Sequence, residues 1–169
     1  MDKVIITIPK FITHIAKTKT KYLKINGQKL FTGMNHHLRA LVVRRMHAYM
    51  AQYIPKILDL SHFTPMKVKL YVYTTKNHGD VRMFKGELKW RPPKKDYVPR
   101  WDIDNLWIWI KCFQDTLVEM GKIEDDNIDI IPNSGEIEFI EVKDFEDRQL
   151  VFEMSKYRKK DEQNINDGK

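Results

Sequence analysis

Two carboxylates one residue apart, Asp102 and Asp104, stand where an apolar stretch begins, and a second pair, Asp125 and Asp126, follows where it ends. The run from Trp101 to Asn127 reads WDIDNLWIWIKCFQDTLVEMGKIEDDN. In extended backbone, side chains at i and i+2 point the same way, so Asp102 and Asp104 can meet one cation. Mg²⁺ takes hard oxygen ligands, usually one or two carboxylates together with water and a substrate phosphate. The rest of the chain is basic, with 30 Lys and Arg against 23 Asp and Glu and a net charge of +7. Such a balance favours an anionic partner. A small acidic site in a basic protein suits metal-dependent phosphodiester hydrolysis, the basic surface drawing in the polyanion that the metal helps to cut. The plainer alternative for Asp104 is a helix N-cap. That accounts for one aspartate, but not for the pair together with the later Asp125-Asp126.

Lys111 lies two helical turns beyond Asp104 and on nearly the same face. A lysine there can stabilise charge that builds up on a scissile phosphate. Its plainer role is a solvated lysine paired with Asp115 at i+4, worth a few tenths of a kcal/mol.

The elements that must hold these groups follow from periodicity. Val4 to Ile8 alternates with β-branched residues and stops at Pro9, which predicts a first strand. Residues 10 to 33 are lysine-rich with few apolar positions and read as extended or loop. From Asn35, a potential N-cap, to about Ile54 the pattern is helical, with Leu38, Leu41, Val42, Arg45 and Tyr49 at helical spacings. Met66 to Thr75 alternates cleanly, placing Val68, Leu70, Val72 and Thr74 on one face and the lysines and tyrosines on the other.

Residues 76 to 100 interleave basic residues with Phe84, Trp90 and Tyr97, and Pro92, Pro93 and Pro99 prevent a helix, so this is a long loop or a β-hairpin arm. Arg91, Lys94, Lys95 and Arg100 are its candidate DNA-contacting residues. A solvated charged face is the bland alternative.

A helix is predicted from Asp104 to Met120, with a seam of Leu106, Ile110, Phe113, Leu117 and Met120 and a stop at Gly121. Short strands are expected at Ile128 to Ile131, Glu136 to Val142 and Gln149 to Met154, with a turn at Asn133 to Gly135. The expected fold is a single α/β (α+β) domain over residues 1–157, a mixed β-sheet packed by two main helices, with a disordered charged tail at 158–169.

Cys112 alone excludes an internal disulfide framework. No run of about 18 apolar residues exists to span a membrane, and the N-terminal VIITIPKFI is too short for a signal peptide core. A soluble, cytoplasmic protein with no membrane partner is expected. His36, His37 and His47 lack the carboxylate or cysteine company of a metal site and read as surface histidines.

The run DIDNL, a helix bearing K-x-x-x-D-x-L, and then G-x-x-x-D-D resembles the RusA-type Holliday junction resolvases of bacteria and their prophages. The resemblance implies a small homodimeric endonuclease that binds Mg²⁺ through three aspartates, with Mn²⁺ as a substitute, and cuts four-way DNA junctions. By motif, Asp102, Asp104 and Asp126 match the metal-binding aspartates. Lys111 matches the family's catalytically important lysine when three extra residues are placed between Leu106 and Ile110; without them that position holds Ile108. The order of elements elsewhere agrees with the family, although the family's short arginine-rich link before the D-x-D-N motif is much longer here, at residues 76 to 100. A C₂ dimer would place one site on each of two symmetric strands, and Trp107 and Trp109 are candidates for its interface or for the core. A flap- or fork-selective nuclease and a catalytically inert DNA-binding accessory protein remain open.

One distance poses a problem. A helix from Asp104 to Met120 spans roughly 24 Å at 1.5 Å per residue, and the six residues from Gly121 to Asp126 reach back only about 20 Å when fully extended. Bringing Asp126 to Asp102 requires a later helix start, a strongly bent return, or an Asp126 from a second subunit.

Overall fold

Alternation of buried and outward side chains sets the central strand, β4 (Met66–Thr75), where Met66, Val68, Leu70 and Val72 are fully buried and the intervening lysines and tyrosines are not. The computed structural model describes residues 3–9, 14–16, 22–25, 27–75, 80–84, 87–91 and 105–158. Around β4 runs a mixed sheet in the order β1–β8–β4–β7, comprising β1 (Lys3–Pro9), β7 (Asn133–Val142) and β8 (Gln149–Lys156). β8 is antiparallel to both β1 and β4, and β7 is parallel to β4. The parallel pair needs a crossover, and the chain supplies it with an antiparallel hairpin, β5 (Asp80–Phe84) and β6 (Glu87–Arg91), followed by helix α3 (Trp107–Glu119). The described part of the 76–100 arm is thus a hairpin rather than a loop.

α3 and α2 (His36–Ala51) supply the second layer of this small α+β domain. Phe113 of α3 stacks on Phe152 of β8 with ring centroids 3.8 Å apart and planes within 4°. Cys112 Sγ lies 3.9 Å from Met46 Sδ where the two helices meet, and burial pushes the Cys112 thiol up to about 12, Asp115 adding to the rise. The opposite sheet face is laced by the cross-strand ion pairs Lys3–Glu153, Lys67–Glu136 and Lys69–Glu138.

Asn35 caps α2 as expected, its Oδ1 accepting the His37 N–H at 2.9 Å. The buried stripe of α2 is Val42, Met46 and Met50, whereas Leu38, Leu41, Arg45 and Tyr49 flank it at partial burial. Residues 10–33 hold more structure than expected: a ribbon of β2 (His14–Ala16) and β3 (Tyr22–Lys24), then α1 (Gly27–Thr32), anchored in the core by Leu30. Three-residue strands and a six-residue helix are too short to show a period.

No strand forms at residues 128–131. The Asn127 carbonyl accepts the N–H groups of Ile130 and Ile131, and its side-chain Oδ1 accepts those of Asp129 and Ile130. These local acceptors compete with a sheet ladder and win. β7 instead begins at Asn133, so the expected turn at 133–135 is part of a strand, and its register against β4 skips Gly135 in a bulge. The charged tail beyond Arg158 lies outside the described residues.

Phe113→Ala should cost about 3–5 kcal/mol of unfolding free energy, measured by urea titration. A loss below about 1 kcal/mol would show that the stacked pair does not hold α3 to the sheet.

Candidate functional site

α3 is buried almost all round, which leaves one stripe for chemistry. Ile108, Trp109, Ile110, Cys112, Phe113, Gln114, Thr116 and Leu117 are all buried. Trp107, Lys111, Asp115 and Glu119, four residues apart, make the stripe that is not. The helix begins at Trp107, after a turn at Asn105 and Leu106, and not at Asp104. A later helix start and a sharp return are both present, and within the chain they bring Asp126 to Lys111; Asp102 lies outside the described residues.

The return is built from identifiable hydrogen bonds. Gly121 takes φ +65°, the left-handed conformation that glycine adopts without strain. Its N–H bonds to Val118 O at 2.9 Å and the Lys122 N–H bonds to Leu117 O at 2.8 Å, the paired bonds of a Schellman ending. The reversed chain is then pinned by buried Ile123 and Ile131 and by the Lys122 ammonium, which donates to Lys56 O. Asp125 Oδ1 accepts the Asp126 N–H at 2.7 Å while its Oδ2 accepts from Asn127 Nδ2 at 2.8 Å. Asp125 is therefore engaged in shaping the turn, and Asp126 is the aspartate presented to α3.

Lys111 Nζ donates to Asp126 Oδ2 at 2.5 Å and to Asp115 Oδ1 at 2.8 Å. Burial pulls the Lys111 ammonium toward deprotonation, but the hydrogen bonds and charges of Asp115 and Asp126 outweigh it and raise the group above the ordinary lysine range. An ammonium has three donors. Two are taken by the carboxylates, and the third is available to an anionic oxygen on the open side, where Lys111 is about half exposed. The side chain can act as a fixed positive charge and hydrogen-bond donor, and not as a base.

The network continues away from solvent. His47 of α2, expected at the surface, is only 8 % exposed. Its Nδ1 donates to Glu119 Oε1 at 2.8 Å and its Nε2 lies 3.8 Å from Asp115 Oδ2. Periodicity placed His47 on α2 but could not show that this flank faces α3; its place beside Met46 and three residues before Met50 was the available signal. His36 and His37 do lie on the surface at the start of α2. Trp109 is 1 % exposed and belongs to the core, which removes it as an interface residue. Trp107 is 43 % exposed, and its indole rests on Gly135, where a Cβ would come within 2.8 Å of the ring. The bulge glycine is what lets the ring seat there.

Asp102, Asp104, Lys94, Lys95 and Arg100 lie outside the described residues, and of Arg91 only the backbone at the end of β6 is described. Asp126 and Lys111 are the two predicted site residues that the structure brings together. Among the described residues no group of three His, Cys, Asp or Glu is placed to hold a metal, and no helix is long and apolar enough to cross a membrane. No family model matches this chain, and no curated protein matches it significantly.

Because the Lys111 value is raised, whatever stability its ion pairs contribute is whole below the ordinary value of 10.5 and is lost only as pH climbs through the raised one. The difference in unfolding midpoint between the wild-type chain and Lys111→Met should therefore stay constant from about pH 7 to about pH 9. A wild-type midpoint that rises relative to that of Lys111→Met over that interval would mean that burial, not the carboxylates, dominates, because a lowered value relieves its cost as the ammonium loses its proton.

Proposed function

We propose that the chain is a Mg²⁺-dependent, structure-selective DNA endonuclease that resolves four-way junctions by paired symmetric cleavage, acting as a homodimer. One observation carries this reading: a lysine on the exposed stripe of α3 and an aspartate returned from beyond the helix meet at 2.5 Å, in a helix that the D-x-D motif precedes in sequence. The net charge of +7 supports a polyanionic substrate.

The donor chemistry at Asp126 fits Mg²⁺. It is a hard oxygen ligand, partly exposed, and Lys111 engages one of its two carboxylate oxygens, leaving Oδ1 for a cation. Asp102 and Asp104 would complete the set. When bound, the ion would supply Lewis-acid stabilisation of the phosphoryl oxygens and activation of the attacking water. Lys111 is held by Asp115 and Asp126 with its third N–H free to meet a phosphate oxygen as negative charge grows on it. The basic arm, with Arg91, Lys94, Lys95 and Arg100, would bind the phosphate backbone and add the salt-dependent part of the affinity.

The test is a nicking assay on a labelled synthetic four-way junction with duplex, flap and fork controls, with and without Mg²⁺. Paired symmetric cuts that need the metal are expected, and both Asp126→Asn and Lys111→Ala should lower the cleavage rate about 10²–10³-fold while the junction is still bound. Cutting confined to flaps or forks would keep the site and discard the junction. Binding without cutting in either Mg²⁺ or Mn²⁺ would replace the enzyme with a DNA-binding protein. Replacing Lys94, Lys95 and Arg100 together with Ala should weaken binding and flatten its salt dependence; an affinity unchanged at both low and high salt would remove the arm from the interface.

A further inference from the structure

His47 has no part in the reading above, yet among the described residues it is a buried polar group linked to it. The ring is wedged between α2 and α3, only 8 % exposed, with Nδ1 bound to Glu119 at 2.8 Å. Its Nε2 is fully buried, makes no hydrogen bond among the described residues, and faces Asp115 Oδ2 from 3.8 Å. Asp115 is a two-sided contact: Oδ2 faces the imidazole and Oδ1 receives the Lys111 ammonium at 2.8 Å.

A burial of this kind needs a reason. A polar ring nitrogen without a hydrogen bond in the interior is costly, and an apolar side chain beside Met46 would avoid that cost. A lysine also has four rotatable bonds, so its ammonium stays in one place only if its partners do. Asp126 is fixed by the turn around Asp125 and Asn127. Asp115 sits on a partly open helix face, and the imidazole is the neighbour that reaches it from α2.

We propose that His47 is a positioning residue. With a proton on each ring nitrogen, it is anchored through Nδ1–H to Glu119, turns Nε2–H toward Asp115 Oδ2 as an ion pair at 3.8 Å, and so holds that carboxylate in the orientation in which Oδ1 fixes the Lys111 ammonium against Asp126. The catalytic consequence rests on the nuclease reading; the positioning itself does not.

Two substitutions separate the nitrogens. Gln at position 47 places an amide nitrogen near the site of Nε2, and Asn places one near that of Nδ1. The Lys111 Nζ signal of the full-length chain is followed by ¹⁵N side-chain relaxation in wild type, His47→Ala, His47→Gln and His47→Asn, with thermal melts confirming that each is folded. The expected result is at least an about twofold rise in Lys111 Nζ mobility in the Ala and Asn variants and near-wild-type order in the Gln variant. In the junction assay, His47→Ala should lower kcat about tenfold with KM for the junction little changed, and Gln but not Asn should restore it. Unchanged Lys111 mobility in His47→Ala, or equal rescue by Asn and Gln, would overturn the proposal, because either would reduce His47 to packing and its Glu119 bond. If wild type cuts no DNA while Lys111 loosens in His47→Ala, the positioning role stands and the nuclease reading falls.

Discussion

Lys111 and Asp126 are fifteen residues apart and meet because the chain reverses at Gly121. The place of Asp126 in the site depends on that reversal. A helix that ran on past Met120, or ended in a straighter loop, would carry Asp125 and Asp126 away from the lysine. The paired bonds from Gly121 and Lys122 back to Val118 and Leu117 close the helix within one residue, and the φ of +65° at Gly121 is a conformation that costs other L-residues about 1 kcal/mol. The Asp125 and Asn127 side chains then shape the next turn with bonds that would otherwise go to water. A backbone device thus delivers a charged group to a helix face that apolar packing has already fixed.

The ion pairs along that face are poor candidates for a stabilising device. Lys111 is half exposed, Glu119 more so, and exposed ion pairs contribute about 0–1 kcal/mol after screening and side-chain ordering. The fold has stronger means of holding α3, among them the Phe113–Phe152 stack and the apolar surface of Ile108, Trp109 and Leu117. A chain of polar contacts from Glu119 and His47 through Asp115 and Lys111 to Asp126 adds little to these. What it does supply is a lysine ammonium with a defined position and a secure charge, and that is of use only to something that binds there. The proposed phosphate-directed role of the third N–H gives it such a use.

How much was legible in the sequence depended on how long each signal ran. β4 shows ten residues of alternation, and α2 has a helical period with an Asn at its cap, so both stand where the pattern put them. Gly121 marked the end of α3 because few other residues take its backbone angle. β2, β3 and α1 left no trace because none is long enough for one period to repeat. Residues 128–131 misled because Ile-Asp-Ile-Ile alternates weakly while Asn127 captures its backbone donors. His47 was misread for another reason: a helix pattern tells which face is apolar, but not which polar neighbour of that face will be covered by a second helix.

The reach problem and the lysine register have a common physical root in where α3 begins. With the helix starting at Trp107, its first turn holds Ile108, Trp109 and Ile110, all at most 2 % exposed. A lysine at position 108 would have to bring its ammonium into that apolar layer, at a desolvation cost that would drive it to lose its proton. Three residues further on, at about 100° per residue, the helix has turned through about 300°, and position 111 comes out on the open stripe opposite Asp126. The WIWI segment therefore lengthens the buried start of the helix by most of a turn, and the charged group can occupy only the later position. Under the proposed reading, this supports Lys111, and not the Ile108 position, as the residue that meets the phosphate.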